Sequence, residues 1–141
     1  MSKTYNRFED LPVWQEAIRL ASEVYDMTES NEWKGSYGLR DQLERAALSV
    51  SNNIAEGFER GTTNELLAFL YIARGSAGEV RSMLCFLERR SAFSHFKSQI
   101  SNLKSIAESC SRQLRAWADH LQNSEIKGQR HLNENTRAGY Q

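Results

Sequence analysis

The residues of this chain that could do chemistry gather in residues 37–58, YGLRDQLERAALSVSNNIAEGF. Ser49, Ser51, Asn52, Asn53 and Glu56 form a polar run that ends at Gly57. Hydroxyls, amides and carboxylates in such a cluster either build a ligand site or act as hydrogen-bond partners between packed elements. A second cluster, Gly75-Ser76-Ala77-Gly78 with Glu79, lies one helix further on. Small residues let two backbones approach closely, and Asn53 would then bond across the contact. A buried asparagine of this type fixes register and partner at some cost in stability. The structural reading is the simpler one, and the ligand-site reading stays beside it.

Catalytic chemistry finds little support. Glu56 and Glu79 lie close to buried helical stripes, and two partly buried carboxylates can act as acid and base. No base partner or substrate pocket is implied, so each is read as accepting hydrogen bonds from Asn, Ser or Arg neighbours. The chain has no serine nucleophile elbow, phosphate-binding loop or dinucleotide fingerprint. Metal-binding bundles need Glu-x-x-His pairs, but His95, His120 and His131 follow Ala92, Trp117 and Gly128 at that spacing. The expectation is a protein with no catalytic residue, no metal, no cofactor and no small-molecule substrate.

Charge offers another kind of chemistry. Lysine plus arginine equal aspartate plus glutamate at 18 each, so bulk charge names no partner. The distribution is uneven. Residues 1–36 hold four basic and seven acidic groups, whereas residues 62–122 hold eight basic and five acidic. Thirteen of the cations are arginine, suited to bidentate contact with phosphate or carboxylate. Arg45, Arg60, Arg74 and Arg81 are the candidate nucleic-acid contacts on helices 2 and 3. Arg74 and Arg81 are seven apart and share a helix face. The alternative is a solvated face, or one that orients identical subunits.

The elements that must position these residues are helices. Leu39, Leu43, Ala46, Val50, Ile54 and Phe58 recur in steps of three and four, one buried helical stripe. A first helix runs from Asp10, a candidate cap, past Pro12 to about Thr28, with Val13, Trp14, Ala17, Ile18, Ala21, Val24 and Tyr25 inward. SNEWKGS, residues 30–36, breaks the pattern as a loop, and Ser36 is a candidate cap for the second helix. Thr62 and Glu65 form a capping box for a third helix to about Arg90. Its stripe is Leu66, Phe69, Leu70, Ala73, Ala77, Val80, Leu84 and Leu87. After a turn at Ser91–Ser94, Phe96, Ile100, Leu103, Ala107, Cys110, Leu114, Trp117 and Leu121 define the fourth.

Short connections between four such helices predict an all-α, antiparallel up-down-up-down bundle over residues 1–122. Residues 123–141 have no period and few large apolar side chains, and are expected to be a flexible tail. Cys85 and Cys110 are read as reduced, core-facing residues of a cytoplasmic protein. The N-terminal sequence lacks a signal-peptide core, and no apolar run reaches the about 20 residues of a membrane span.

The order of residues then resembles a known family. Phe8-x-x-Leu11-x-Val13-Trp14 is followed by Tyr37-Gly38-Leu39-x-x-Gln42, Arg45-Ala46-Ala47 and Ser51-Asn52-Asn53-Ile54-Ala55-Glu56-Gly57, then Phe69-Leu70-x-Ile72-Ala73-x-Gly75-Ser76-x-x-Glu79. That series is similar to the bacterial four-helix proteins encoded by intervening sequences within 23S ribosomal RNA genes. The accessory variability determinant of diversity-generating retroelements resembles the same family. The resemblance covers about residues 8–121. It implies a cytosolic homo-oligomer, a ring of five; in the retroelement relatives the basic ring surface binds RNA and the reverse transcriptase, whereas the ribosomal-insertion members have no assigned activity. It also implies an architectural role for Asn53, Glu56, Gly57, Gly75, Ser76 and Glu79. Two departures stand out: Phe-Pro is usual before Tyr37, and Glu44 replaces a common arginine beside Arg45. Neutral overall charge favours the ribosomal-insertion branch. The resulting reading is a non-enzymatic RNA- or ribonucleoprotein-associated accessory protein; the rival is a protein–protein scaffold without RNA binding.

Overall fold

A computed structural model describes residues 4–123. The expected tail, apart from Asn123, lies outside the described residues. Four long helices account for most of the chain: α1 (Pro12–Thr28), α2 (Tyr37–Glu59), α3 (Thr63–Glu88) and α4 (Lys97–Gln122). Single 3-10 segments at Phe8–Asp10, Asn31–Trp33 and Ser91–Phe96 precede α1, α2 and α4. The fold is all-α, and no strand occurs among the described residues. No helix there is long and apolar enough to cross a membrane.

Helix starts follow local chemistry, with one correction. Thr62 caps α3: its hydroxyl accepts from the Glu65 amide at 3.1 Å and donates to the Glu65 carboxylate at 2.9 Å. Asp10 does not cap α1. It lies in the preceding 3-10 turn, Leu11 takes the cap position, and Pro12 opens the helix where its missing N–H costs nothing. Ser36 likewise caps α2 without a side-chain bond; its carbonyl accepts the Arg40 amide at 3.0 Å. Gly35 supplies the one positive φ among the described residues, +89°, which lets the chain turn sharply into α2.

The apolar stripes meet in one core. Ala17, Leu20 and Val24 of α1, Leu43 and Ile54 of α2, Leu66 and Leu84 of α3, and Ile100, Cys110 and Leu114 of α4 are buried. Burial pushes the Cys110 thiol up to about 12, with a smaller contribution from the negative charge of Glu16. Cys85 is half-buried. Each helix packs against its sequence neighbours, and α1 also packs against α4. Along the α1–α4 seam one residue number rises as the other falls: Glu16 accepts from Ser109 and Glu23 from Asn102, at 3.0 and 2.6 Å. Between α3 and α4, Lys104 donates to Glu88 at 2.9 Å, and Gln122 donates to Tyr71.

The first connection is more than a loop. Trp33 is wholly buried, its ring 4.7 Å from Phe93 and 6.2 Å from Phe96. These rings join the α1–α2 and α3–α4 connections at one end of the molecule. The indole N–H of Trp33 is buried without a hydrogen-bond partner among the described residues. That costs about 1–3 kcal/mol, set against the ring packing around it.

The glycines separate into two groups. A Cβ on Gly57 would sit 2.8 Å from Phe69 Cβ and 3.1 Å from a Leu66 methyl, so α2 and α3 touch there at backbone distance. Gly75 and Gly78 have nothing within 4 Å of such an atom. The close approach therefore lies at Gly57, not at the small-residue run of α3. Gly57→Ala should lower stability by about 1–3 kcal/mol through overpacking. Gly75→Ala should raise monomer stability by about 0.5–1 kcal/mol through helix propensity. Urea unfolding under matched conditions checks both. A Gly57→Ala protein as stable as the parent would rule out this contact.

Candidate nucleic-acid interface

The polar run of α2 is built around Ser49. The Asn53 amide donates to the Ser49 carbonyl at 2.7 Å and to its hydroxyl at 2.9 Å. Ser49 Oγ lies 2.8 Å from Ser76 Oγ on α3. Having accepted from Asn53, the Ser49 hydroxyl can donate to Ser76, which makes a relay of Asn53 to Ser49 to Ser76. Asn53 thus acts across the seam through Ser49, where its residue type predicts direct contact. Ser51 is buried and returns its hydroxyl to the Leu48 carbonyl at 3.1 Å.

The two glutamates part company with this relay. Glu56 is exposed and pairs with Arg60 at 3.4 Å, while Glu79 is exposed with no ion pair among the described residues. Neither is partly buried as its position in the sequence suggests. Of the six residues expected to form one polar contact, Asn53 and Ser76 join the relay and Gly57 forms the tight packing. Glu56, Gly75 and Glu79 stand on the surface. Among the described residues no group of three His, Cys, Asp or Glu side chains is placed to hold a metal.

A half-buried carboxylate absent from that set does comparable work. Glu44 accepts from Thr28 at 2.5 Å and from Arg40 at 2.9 Å, with its side chain only 13% exposed. Thr28 is wholly buried at the end of α1, so this carboxylate ties α1 to α2. The Arg40 guanidinium is held charged by the same bond, which raises its pKa. A signal for it exists in the sequence: Glu44 follows Arg40 by four residues, beside the buried Leu43.

The four candidate arginines do not form one patch. Arg45 pairs with Asp41 at 3.0 Å on the outer surface of α2. Arg60 sits at the corner between α2 and α3, within 3.4 Å of Glu56 and 3.6 Å of Glu65, and lies 5.0 Å above the Phe69 ring. Arg74 and Arg81 are different. Both are exposed on α3 and form no ion pair or hydrogen bond among the described residues. Their seven-residue spacing places the two cations about 10 Å apart along the helix axis. Two of the three acidic residues of α1 are also committed: Glu16 and Glu23 bind Arg19 at 3.4 and 2.8 Å as well as α4.

Several apolar side chains escape the core on α2 and α3. Leu48, Tyr71, Ile72 and Phe86 are between 36% and 51% exposed. All four lie off the buried stripes, which is the signal that could mark them from sequence.

The relay predicts non-additive energetics. Ser49→Ala should cost about 1–3 kcal/mol, because it strands the Ser76 hydroxyl in a half-buried seam and leaves the Asn53 amide only the backbone carbonyl at position 49. Adding Ser76→Ala should cost less than the sum of the single changes, since the second partner has already lost its bond. A chemical-denaturation double-mutant cycle measures this, and strict additivity would dissolve the relay.

No curated protein matches the chain. The sequence profile of one family does match, over residues 9–116, from the turn before α1 through most of α4. That span includes the α2–α3 seam, the Glu44 tie and both unpaired arginines, and it makes the chain a member of the 23S rRNA-intervening sequence protein family.

Proposed function

We propose that this protein is a non-enzymatic RNA- or ribonucleoprotein-associated accessory protein of the cytoplasm. It acts as a homo-oligomer of antiparallel up-down-up-down bundles. The bundle topology is supported by the seams on which Glu16 meets Ser109 and Glu23 meets Asn102. Ser49 with Ser76, and Glu88 with Lys104, support it on the other seams. The ring of five rests on family resemblance.

One observation carries the RNA reading. Arg74 and Arg81 share an exposed face of α3 and have no carboxylate partner among the described residues, whereas Arg40, Arg45, Arg60 and Lys104 are each paired within the chain. Intramolecular pairing neutralises a cation; a surface pair left uncompensated is available to phosphate. The logarithm of RNA affinity should fall linearly with the logarithm of salt concentration. Arg74→Gln and Arg81→Gln should each reduce that slope by about one. Arg45→Gln should change it less, because Asp41 already opposes that charge. Fluorescence anisotropy across a salt series tests this. Binding that ignores salt, or no binding at all, would refute the reading.

A second reading rests on Leu48 and Ile72, which are exposed on α2 and α3. In it, the protein is a scaffold whose outer α2–α3 face serves self-assembly or a protein partner, such as the reverse transcriptase of a retroelement. Burying such a patch favours association by roughly 25 cal/mol per Å² of apolar surface, before the cost of immobilisation. Ile72→Glu should reduce the particle mass seen by light scattering without lowering the melting temperature of the subunit. An unchanged mass would remove this face from the assembly.

A further inference from the structure

The outer side of α3 carries an arrangement that bears on which form of RNA it suits. Tyr71 is 44% and Phe86 50% exposed, two large rings turned away from the core. They are fifteen residues apart, about 22 Å along the helix axis. Along the axis Arg74 and Arg81 lie between them, exposed and unpaired among the described residues; both arginines are on the Tyr71 side of the helix, while Glu79, seven residues before Phe86, shares the face of that ring. Gly75 and Gly78 fall in the same interval, with nothing within 4 Å of the position a Cβ would take. The helix backbone there has no side chain to keep a ligand at a distance.

Charge favours a polyanion over an apolar helix as the occupant. Residues 71–90 hold Arg74, Arg81, Arg89 and Arg90 against Glu79 and Glu88, and Glu88 is already bound by Lys104 at 2.9 Å. Arg90 also lies 5.9 Å above the Phe86 ring, so one platform already combines a π face with a cation. The Tyr71 hydroxyl accepts from Gln122 of α4, which anchors the first ring.

Duplex RNA has no use for exposed rings, because its bases are stacked on each other and its surface presents phosphates and 2′-hydroxyls. A single strand offers unstacked base faces together with phosphates. Aromatic rings combined with cations recognise that pairing, and do so without reading sequence. We infer that the α3 surface prefers single-stranded RNA, with Tyr71 and Phe86 as stacking platforms and Arg74 and Arg81 as phosphate contacts. This rests on the RNA reading above and narrows it to one form of the ligand.

The test uses the full chain and a labelled, unstructured RNA of about 20 nucleotides, longer than common single-strand site sizes. The same RNA is then annealed to its complement. The single strand should bind at least about ten-fold more tightly than the duplex. Tyr71→Ala and Phe86→Ala should each weaken single-strand binding about ten-fold, the loss expected for one base–ring stack. Duplex affinity should stay unchanged, and the thermal melt should fall only slightly, since both rings are about half exposed and Tyr71 loses one tie to Gln122. Equal affinity for both forms, with binding that needs the arginines and not the rings, would overturn this inference and leave the RNA reading standing. Binding to neither form would overturn both. A loss of oligomer mass in the ring variants, with single-strand affinity intact, would assign the rings to a subunit contact and overturn the inference alone.

Discussion

The contact between α2 and α3 at Gly57 is the constraint on which the rest of the structure depends. Any side chain there would begin with a Cβ only 2.8 Å from Phe69 Cβ, so the helices cannot slide or rotate at this point without collision. Two turns away, the Asn53–Ser49–Ser76 relay adds direction to this closeness. Packing sets how near the helices come, and the hydrogen bonds set their register. Once that register holds, the outward positions of α3 follow from helix periodicity alone. Arg74, Gly75, Gly78 and Arg81 face solvent because Ala73, Ala77 and Val80 are fixed in the core.

Polar side chains at the other seams serve the same end by different chemistry. Glu44 satisfies a buried threonine hydroxyl, and Glu16 and Glu23 of α1 reach hydrogen-bond donors on α4. A buried or half-buried polar group is tolerated only when its partners are present, because stranding one costs more than the bond contributes. These ties therefore discriminate between registers more than they add net stability. Glu44 fits this logic: the carboxylate has Thr28 and Arg40 as neighbours and closes the seam between α1 and α2.

Periodicity makes the fold legible from the chain alone, and the limits of that legibility have physical causes. Of the stripe its spacing predicts, Leu43, Ala46, Val50, Ile54 and Phe58 are buried and Leu39 is half-buried, and Thr62 caps α3. Trp33 falls within a loop on sequence grounds, since a single ring between turns has no period, yet it is wholly buried against Phe93 and Phe96. The glycines mislead for a related reason. A small residue announces that close approach is possible, not which neighbour makes it, and Gly57 and Gly75 differ only in what stands opposite. For the candidate site, residue type names the arginines but cannot show which ones acids claim. Asp41 holds Arg45 from four residues away, a pairing open to sequence reasoning, whereas Glu65 reaches Arg60 only because the chain turns at the α2–α3 corner.

This division of charge explains how a chain of zero formal net charge can still present a cationic face. Net charge counts every group equally, but a carboxylate bound to arginine one helical turn away has little field beyond a Debye length, about 8–10 Å at physiological salt. Arg19 with Glu23, Arg40 with Glu44 and Arg45 with Asp41 are such pairs, and they cancel locally. What a ligand meets is the remainder. On α3 that remainder is positive, because Arg74 and Arg81 have no acid at the spacing of one turn on their own face: the residues four before and four after them are Leu70, Gly78, Ala77 and Cys85. Placing glutamate at 78 would supply such a partner for both cations at once. The glycine there keeps the helix surface low and leaves both arginines uncompensated, so a single position governs both the shape and the charge of this face.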